Sequence, residues 1–470
     1  MIPLPRGARS TVLRAVACSA WLTAAGPGWG CAAPPRSGAG LDAPAARARG
    51  AEAPGRGNIL FSPLWTVEAD PAAAGFDLLL DWVADRAGRN YLLEYPSGRV
   101  QVLSPRGERL RALERHTLGA RPASGAIALA LLPDSTLGLL LPSPAELIKI
   151  DRRGNPIGRA SLSAAPGIPG ATTTVRRAAC AGGVLVLGGV DTRTDEARGQ
   201  VRTHFVRRYG AGGEILATYA ARETAIDMSR RRFSESEAIA PFTLSFAVGP
   251  DGRVFVAPDR DAYRIEVYTP EGDLDRVIER EIKPTARGTA DSARVVALFE
   301  DWLRDAPAGI RYDLEPTAPV VAGMQVDSRG RLWVRRSGIP GEGAGGGDVG
   351  PRTEPHAATA AGGGNAGPGP ATGAGPGAAT GAGPGEARAV YDLFDPDGRF
   401  RETIAPATPE GSPVEGDLVF LGGDRAASLA RSAALLWLRL GGRPEGAVPG
   451  ERIDPRAPLR RGACLRIEEA

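Results

Sequence analysis

Short apolar runs recur along the middle of the chain, most with alternate residues polar and most ended by a glycine turn, which is the pattern of antiparallel strands joined by hairpins. The clearest copy is Ser245 to Ile278. Phe246-Ala-Val leads into Pro250-Asp-Gly-Arg, Val254-Phe-Val follows, and after Asp259-Arg-Asp-Ala come Arg264-Ile-Glu-Val-Tyr268, Pro270-Glu-Gly-Asp and Leu274 to Ile278. The spacing predicts four strands, with Gly252 and Gly272 where hairpin turns need positive φ. A second copy starts at Met324-Gln-Val-Asp-Ser-Arg-Gly330 and Leu332-Trp-Val-Arg, then resumes far downstream at Tyr391-Asp-Leu-Phe-Asp-Pro-Asp-Gly-Arg-Phe400. A third runs from Tyr91-Leu-Leu-Glu-Tyr through Gly107 to Leu113. Weaker copies span Ala128 to Leu162, Ala178 to Tyr219, and Asp417 to Leu440, the last with Leu435-Leu-Trp-Leu-Arg-Leu as its third strand.

Six such units are predicted, each too flat and too short to bury its own two faces. They must stack, and radial stacking of four-stranded units of about 40 residues gives a β-propeller. A solenoid would need polar capping units at its ends, and none is visible, whereas a closed ring needs none. The phrases Asp-x-x-Gly-Arg-Leu-Trp-Val and Phe-Asp-Pro-Asp-Gly-Arg-Phe resemble those of six-bladed propellers of the NHL and TolB-like kind, over about Asp81 to Leu440. That resemblance implies the fold and leaves activity open. It also implies that the two chain ends share a blade, for which Ile59-Leu-Phe61 and the tail Cys464-Leu-Arg-Ile467 are rival candidates. The expected fold class is therefore all-β, a six-bladed propeller over residues 58–470 with an inter-blade helical insertion and a disordered loop.

The helical insertion is Ser292 to Ala306, where Val295, Val296, Leu298, Phe299, Trp302 and Leu303 have helical spacing and Pro307 follows. The loop is Gly338 to Ala387, dominated by Gly, Ala and Pro, a composition that buries too little apolar surface to fold. By strand counting the loop joins second to third strands and the helix joins one blade to the next. These two kinds of connection emerge on one face, as does the long connection Ala220 to Pro241.

The N-terminus carries Arg6, Arg9 and Arg14, then the apolar run Ala15 to Ala25, which reads as a signal peptide over residues 1–30 and is too short to cross a membrane. Gly26-Pro-Gly-Trp-Gly-Cys31 resembles the cleavage site of bacterial lipoproteins, with Gly28 where that motif prefers an apolar residue. Cys31 is the lipidation candidate, with ordinary cleavage near Ala33 as the alternative and Cys18 as a poorer candidate. Residues 31–57 read as a flexible tether. The expected location is the bacterial cell envelope, exported, as a monomer held by an N-terminal lipid or free in the periplasm.

Composition adds mostly exclusions. A net charge of +3 over 470 residues, scattered along the chain, gives no footprint for nucleic acid. The only histidines are His116, His204 and His356, too few and too far apart for a metal cluster, and the first two lie among arginines in what read as solvated connections. Gly182-Gly-Val-Leu-Val-Leu-Gly-Gly189 lacks the Lys-Ser/Thr ending of a phosphate loop and reads as a strand with turns. No nucleophile elbow is present. No cofactor is expected, with calcium as a possibility, since lactonase-like propellers hold a hard cation on the axis. Asp259, Asp261 and Asp327 could supply oxygens, although asparagine is scarce. Cys180 and Cys464 are a candidate disulfide in an exported chain, or else two buried thiols. The positive functional reading rests on a surface: Asp259, Arg260, Asp261, Arg335 and Arg336 fall in second-to-third-strand loops on the loop-rich face, where a ligand would dock. That favours a non-enzymatic platform for a protein or an envelope polymer. A calcium-dependent lactonase-like hydrolase is the alternative, and a structural spacer a third reading.

Overall fold

The computed structural model describes residues 45–48, 59–68, 78–95, 97–113, 117–118, 121–122, 125–162, 170–303, 309–337, 389–412, 414, 417–429 and 461–469. All belong to one unit, Ala43–Ala470. The signal peptide, Cys31, most of the tether, His116, His356, the loop 338–387 and Leu435 to Leu440 lie outside the described residues.

The fold is a six-bladed β-propeller. Blade 1 comprises Leu78–Ala84, Asn90–Tyr95, Val100–Leu103 and Arg109–Leu113; blade 2, Ala128–Leu131, Leu137–Pro142, Ala145–Ile150 and Pro156–Ser161. Blade 3 is the longest, with Thr172–Ala181, Val184–Asp195, Gly199–Tyr209 and Ile215–Ile226. Blade 4 comprises Phe246–Val248, Val254–Val256, Tyr263–Tyr268 and Leu274–Arg280; blade 5, Val321–Val326, Leu332–Arg336, Tyr391–Phe394 and Phe400–Ile404. Blade 6 closes the ring with Asp417–Gly422, Arg425–Leu429 and Arg461–Glu469, and its outermost strand is Ile59–Glu68. Both rival closing segments are thus used, side by side, with Phe61 opposite Ile467 and Trp65 opposite Cys464. The third strand of this blade is the tail, and the expected assignment of that strand to Leu435 to Leu440 is corrected accordingly.

Six apolar clusters hold the ring, one at each blade interface. Leu80, Tyr91 and Val102 meet Leu129 and Leu139 between blades 1 and 2; Leu147 and Leu140 meet Leu187 and Phe205 between blades 2 and 3; Val186 and Val206 meet Phe246 and Val254 between blades 3 and 4. Ile265 and Val267 meet Leu332 and Phe394 between blades 4 and 5, Trp333 and Tyr391 meet Phe61 and Leu465 between blades 5 and 6, and Cys464 and Leu429 meet Trp82 and Leu92 at the last interface. Each blade is buried on both faces by its neighbours, which explains strands apolar on both sides such as Tyr91 to Leu93, all fully buried.

The recurrent Asp-x-x-Gly phrase has a local cause. In Asp327-Ser-Arg-Gly330-Arg331 the carboxylate Oδ1 accepts from the N–H of Arg329 and of Arg331, both at 3.0 Å, and the Gly330 N–H returns to the Asp327 carbonyl at 3.0 Å. Gly330 has φ +77°, which explains the glycine. Asp85, Asp151 and Asp395 make the same pair of bonds to the second and fourth N–H beyond them. Asp327 also accepts from the Trp333 indole at 3.0 Å, so the turn orients a core aromatic.

Four departures follow from tertiary context. Residues Ala45–Ala48 of the expected tether form a strand, parallel to Leu274–Arg280 on the outer edge of blade 4, with Ala45 opposite Val277. The helix runs Thr289–Leu303, a turn earlier than its expected serine cap, and the Ser292 hydroxyl donates inside the helix to the Gly288 carbonyl at 3.1 Å. His204 is fully buried in blade 3 instead of solvated. Cys180 and Cys464 are free thiols. They sit in different blades: Cys180 donates to the Leu131 carbonyl at 3.1 Å, while Cys464 is packed between blades 6 and 1. Burial pushes the two thiols up to about 12 and about 11.

Two predictions follow. A chain beginning at residue 45, denatured without reductant, titrates two thiols, and both react slowly when it is folded, since the thiolate is the reactive form; finding no titratable thiol would restore the disulfide. The loop 338–387 is flanked by an inter-strand bond from Arg336 N–H to the Val390 carbonyl at 3.1 Å, so the hairpin is closed at its base. Replacing 338–388 by a short turn shortens the loop by between three and four halvings at about 0.6 kcal/mol each. The shortened protein should gain ~2 kcal/mol by urea denaturation, and loss of cooperative unfolding would contradict the expectation that the loop carries no packed structure.

Candidate functional site: the capped face and the axis

Two inter-blade connections, 227–245 after blade 3 and 281–320 after blade 4, meet on one face and form a cap with its own core. Phe233, Ile239, Leu298 and Phe299 are buried together, with Trp302 and Tyr312 packed against them. The Phe233 ring meets Phe299 edge-on at 5.3 Å. Arg232–Ser234 pairs in parallel with Arg311–Asp313 and joins the two connections through backbone hydrogen bonds. Ser234 and Glu237 form a reciprocal capping box that starts the one-turn helix Glu235–Ala238. The turn Pro241–Thr243 then lies flat on blade 3, and it can do so because Gly188 has no side chain: a Cβ there would stand 2.1 Å from the Thr243 carbonyl oxygen.

Glu235 locks the cap to the ring. Its side chain is 7% exposed and takes both Arg287 terminal nitrogens, each at 2.6 Å. It also accepts the Glu315 N–H at 3.1 Å and stands 3.6 Å from Arg260. Arg260 reaches the Thr317 hydroxyl at 3.0 Å and also donates to the Thr317 carbonyl. Arg260, in the second-to-third-strand loop of blade 4, is therefore a buried fastening between the ring and the cap, and its expected place among outward contact residues is corrected. The reason is charge: a guanidinium this buried needs acceptors, and the cap provides them.

The other four candidates are scattered. Asp261 is exposed but accepts from Arg260 and from the Thr317 hydroxyl, both at 2.9 Å. Asp259 is exposed, with Arg264 at 4.0 Å. Arg335 and Arg336 are half-buried, and Arg336 lies 3.6 Å from the buried Asp392, which pairs with the buried Arg280 at 2.7 Å. Sequence reading missed Glu235, Arg287 and Thr317. The Ser234-x-x-Glu237 capping box was the readable signal for the first of them.

The inner strands of all six blades line a cavity of about 680 Å³ on the axis. Its polar side chains fasten neighbouring blades to one another. Asp81 accepts the Leu129 N–H of blade 2 at 2.9 Å. Arg177 of blade 3 donates to the Met324 carbonyl of blade 5 at 3.1 Å and also to the Leu244 carbonyl. Gln325 of blade 5 accepts the Phe420 N–H of blade 6 at 3.1 Å and donates to the Leu418 carbonyl. These bonds satisfy the strand edges that each blade would otherwise leave open at the axis. Asp259 and Asp261 lie in the loop between the second and third strands of blade 4, and Asp327 holds Arg331 at 2.7 Å as well as Trp333, so the three suggested cation ligands do not converge. Among the described residues no three His, Cys, Asp or Glu side chains are placed to share a metal.

The sheets and the capped face define the class: a six-bladed propeller with one elaborated face. No protein-family model and no curated protein matches the chain. Solved structures similar to it include a protein described as exported from Bacteroides fragilis, at 9% identity over 90% of this chain and 99% of that one, with a TM-score of 0.39. The calcium-binding protein regucalcin from Agrobacterium tumefaciens is 13% identical over 75% and 82% of the two chains, with a TM-score of 0.33. Virginiamycin B lyase from Staphylococcus aureus is 11% identical over 59% and 67%, with a TM-score of 0.30. At such similarity no ligand and no residue role passes from those proteins to this one, and the fold rests on this chain's own strand pairing.

Removing the Glu235 carboxylate leaves the buried Arg287 guanidinium without its bidentate partner and Arg260 with only the exposed Asp261, a loss of about 3–5 kcal/mol. In Glu235→Ala, hydrogen exchange should accelerate across 232–245 and 289–313 while the blade cores keep their protection. Unchanged exchange in those two segments would show that this carboxylate does not hold the cap.

Proposed function

We propose that the chain is an exported, non-enzymatic binding platform, held to the cell envelope by a lipid on Cys31, that engages an acidic protein or envelope polymer through its capped face. The observation that carries this reading is the cap itself. The helix Thr289–Leu303 and the strand Arg311–Asp313 contribute to none of the six clusters that close the ring, yet they are folded, packed and fastened by buried ion pairs. A structure that the ring does not need is accounted for by a surface that something else contacts. Its chemistry is cationic at the edge: Arg230, Arg231, Arg232 and Arg311 are all exposed, and of their carboxylate partners Asp227 and Asp313 both face solvent. Exposed pairs of this kind are worth about 0–1 kcal/mol and exchange readily for an incoming anionic group.

The hydrolase reading gains no comparable support: Asp81, Arg177 and Gln325 on the axis are engaged between blades, and the three suggested cation ligands do not converge. The test is a charge reversal. The triple variant Arg230→Glu, Arg231→Glu, Arg232→Glu should lose at least about tenfold in retention on isolated envelopes, and wild-type retention should fall with salt. Reversal at Arg109 on the outer rim of blade 1 should change neither. Equal loss from both variants would move the contact away from the cap. Cys31→Ser should shift the protein from the membrane to the soluble fraction, and unchanged fractionation would remove the lipid from the proposal.

A further inference from the structure

Beneath the cap, four cationic or cationisable side chains converge, and among the described residues the one carboxylate that acts on them is the exposed Asp259, beside Arg222. Arg176 lies at the bulge in the inner strand of blade 3, Arg202 and His204 lie two apart on its third strand, and Arg222 sits opposite His204 on the fourth. Arg176 is 4% exposed and His204 is 0% exposed. Two of the arginines have acceptors. Arg202 donates to the Ala238 carbonyl at 3.4 Å and to Gln200 at 2.8 Å, and Arg222 donates to the Ser236 and Ile239 carbonyls at 3.2 and 3.4 Å. Arg176 differs: its Nε and Nη1 are buried without a partner. His204 meets the Glu237 carbonyl, which also accepts from the Thr224 hydroxyl at 2.9 Å. Burial and the Arg202 charge pull the Arg176 guanidinium down to about 9. Burial and then the charges of Arg176, Arg202 and Arg222 pull His204 down to about 2, so its ring is neutral and has one N–H to donate.

A buried guanidinium without a counter-charge costs several kcal/mol, and a fold that keeps one elsewhere supplies the carboxylate, as Glu235 does for Arg287. We infer that Arg176, Arg202, Arg222 and His204 form a closed site for one small inorganic anion, of chloride to sulfate size, held between blade 3 and the cap. The anion takes the unpartnered donors of Arg176, with His204 beside them, and it supplies the charge that the surrounding carbonyls cannot. Its position under the one-turn helix Glu235–Ala238 makes it part of the seat on which the cap rests.

The test follows melting of the full chain at constant ionic strength while sodium gluconate is replaced by sodium chloride or sodium sulfate. A ligand that binds only the folded state raises Tm saturably, here by about 3 °C or more. Arg176→Met should abolish the anion dependence, and in gluconate it should melt at or above the wild type, because the substitution removes an uncompensated buried charge. Wild-type melting indifferent to the anion, or the same dependence in Arg176→Met, would overturn the site. Should that variant not fold, crystals of the wild type soaked in bromide decide: an anomalous peak among the four side chains supports the site, and its absence there overturns it.

Discussion

A propeller blade has two apolar faces and no way to cover either alone, so everything in this molecule depends on the ring being closed. The closing contact is made between residues near the two ends of the described chain, Ile59–Glu68 and Arg461–Glu469, paired over nine positions in one blade. That blade then meets Trp333 and Tyr391 on one side and Trp82 and Leu92 on the other. Folding of the first and last blades is thereby tied to contacts of very large sequence separation, which are slow to form and cooperative once formed.

Closure also decides where function can sit. Six inner strands with open edges converge on the axis, and their N–H and C=O groups must be satisfied in a narrow cavity. Asp81, Arg177 and Gln325 do this by reaching across to the next blade or the one beyond. These three polar side chains are therefore employed in holding the ring. The connections on one face are released from that demand, and two of them have grown into a cap with its own aromatic core.

Legibility of the fold followed the range of the interactions involved. The Asp-x-x-Gly turns are local, a carboxylate closing on N–H groups two and four residues away, and they showed the blades directly. The helix was visible from its own periodicity, although its start shifted by a turn. What could not be read was set by distant packing. Leu435-Leu-Trp-Leu-Arg-Leu is more apolar than Arg461–Glu469, yet the tail takes the third strand of blade 6, because pairing with both Arg425–Leu429 and Ile59–Glu68 decides it. His204 looked solvated among arginines, and it is buried because a turn some forty residues later lies across its strand, over Gly188. Arg260 was read as an outward charge for the same reason: Glu235 and Thr317, which bury it, come from other connections.

The two sets of arginines under the cap show opposite solutions to one electrostatic demand. Arg260 and Arg287 share a carboxylate brought by the cap, so their charge is neutralised from within and the contact fastens two connections. Arg202 and Arg222 meet carbonyl oxygens, the Gln200 amide and aromatic rings, and Arg176 has none of these on its Nε and Nη1, so dipoles offset part of the buried positive charge and not all of it. With the same cap supplying a carboxylate a few residues away, the lack of one beside Arg176 leaves a position that an exchangeable anion fills. The cap is then held by permanent ion pairs centred on Glu235 and by one that depends on the solution around it, so the seat of the proposed binding face answers to its ionic surroundings.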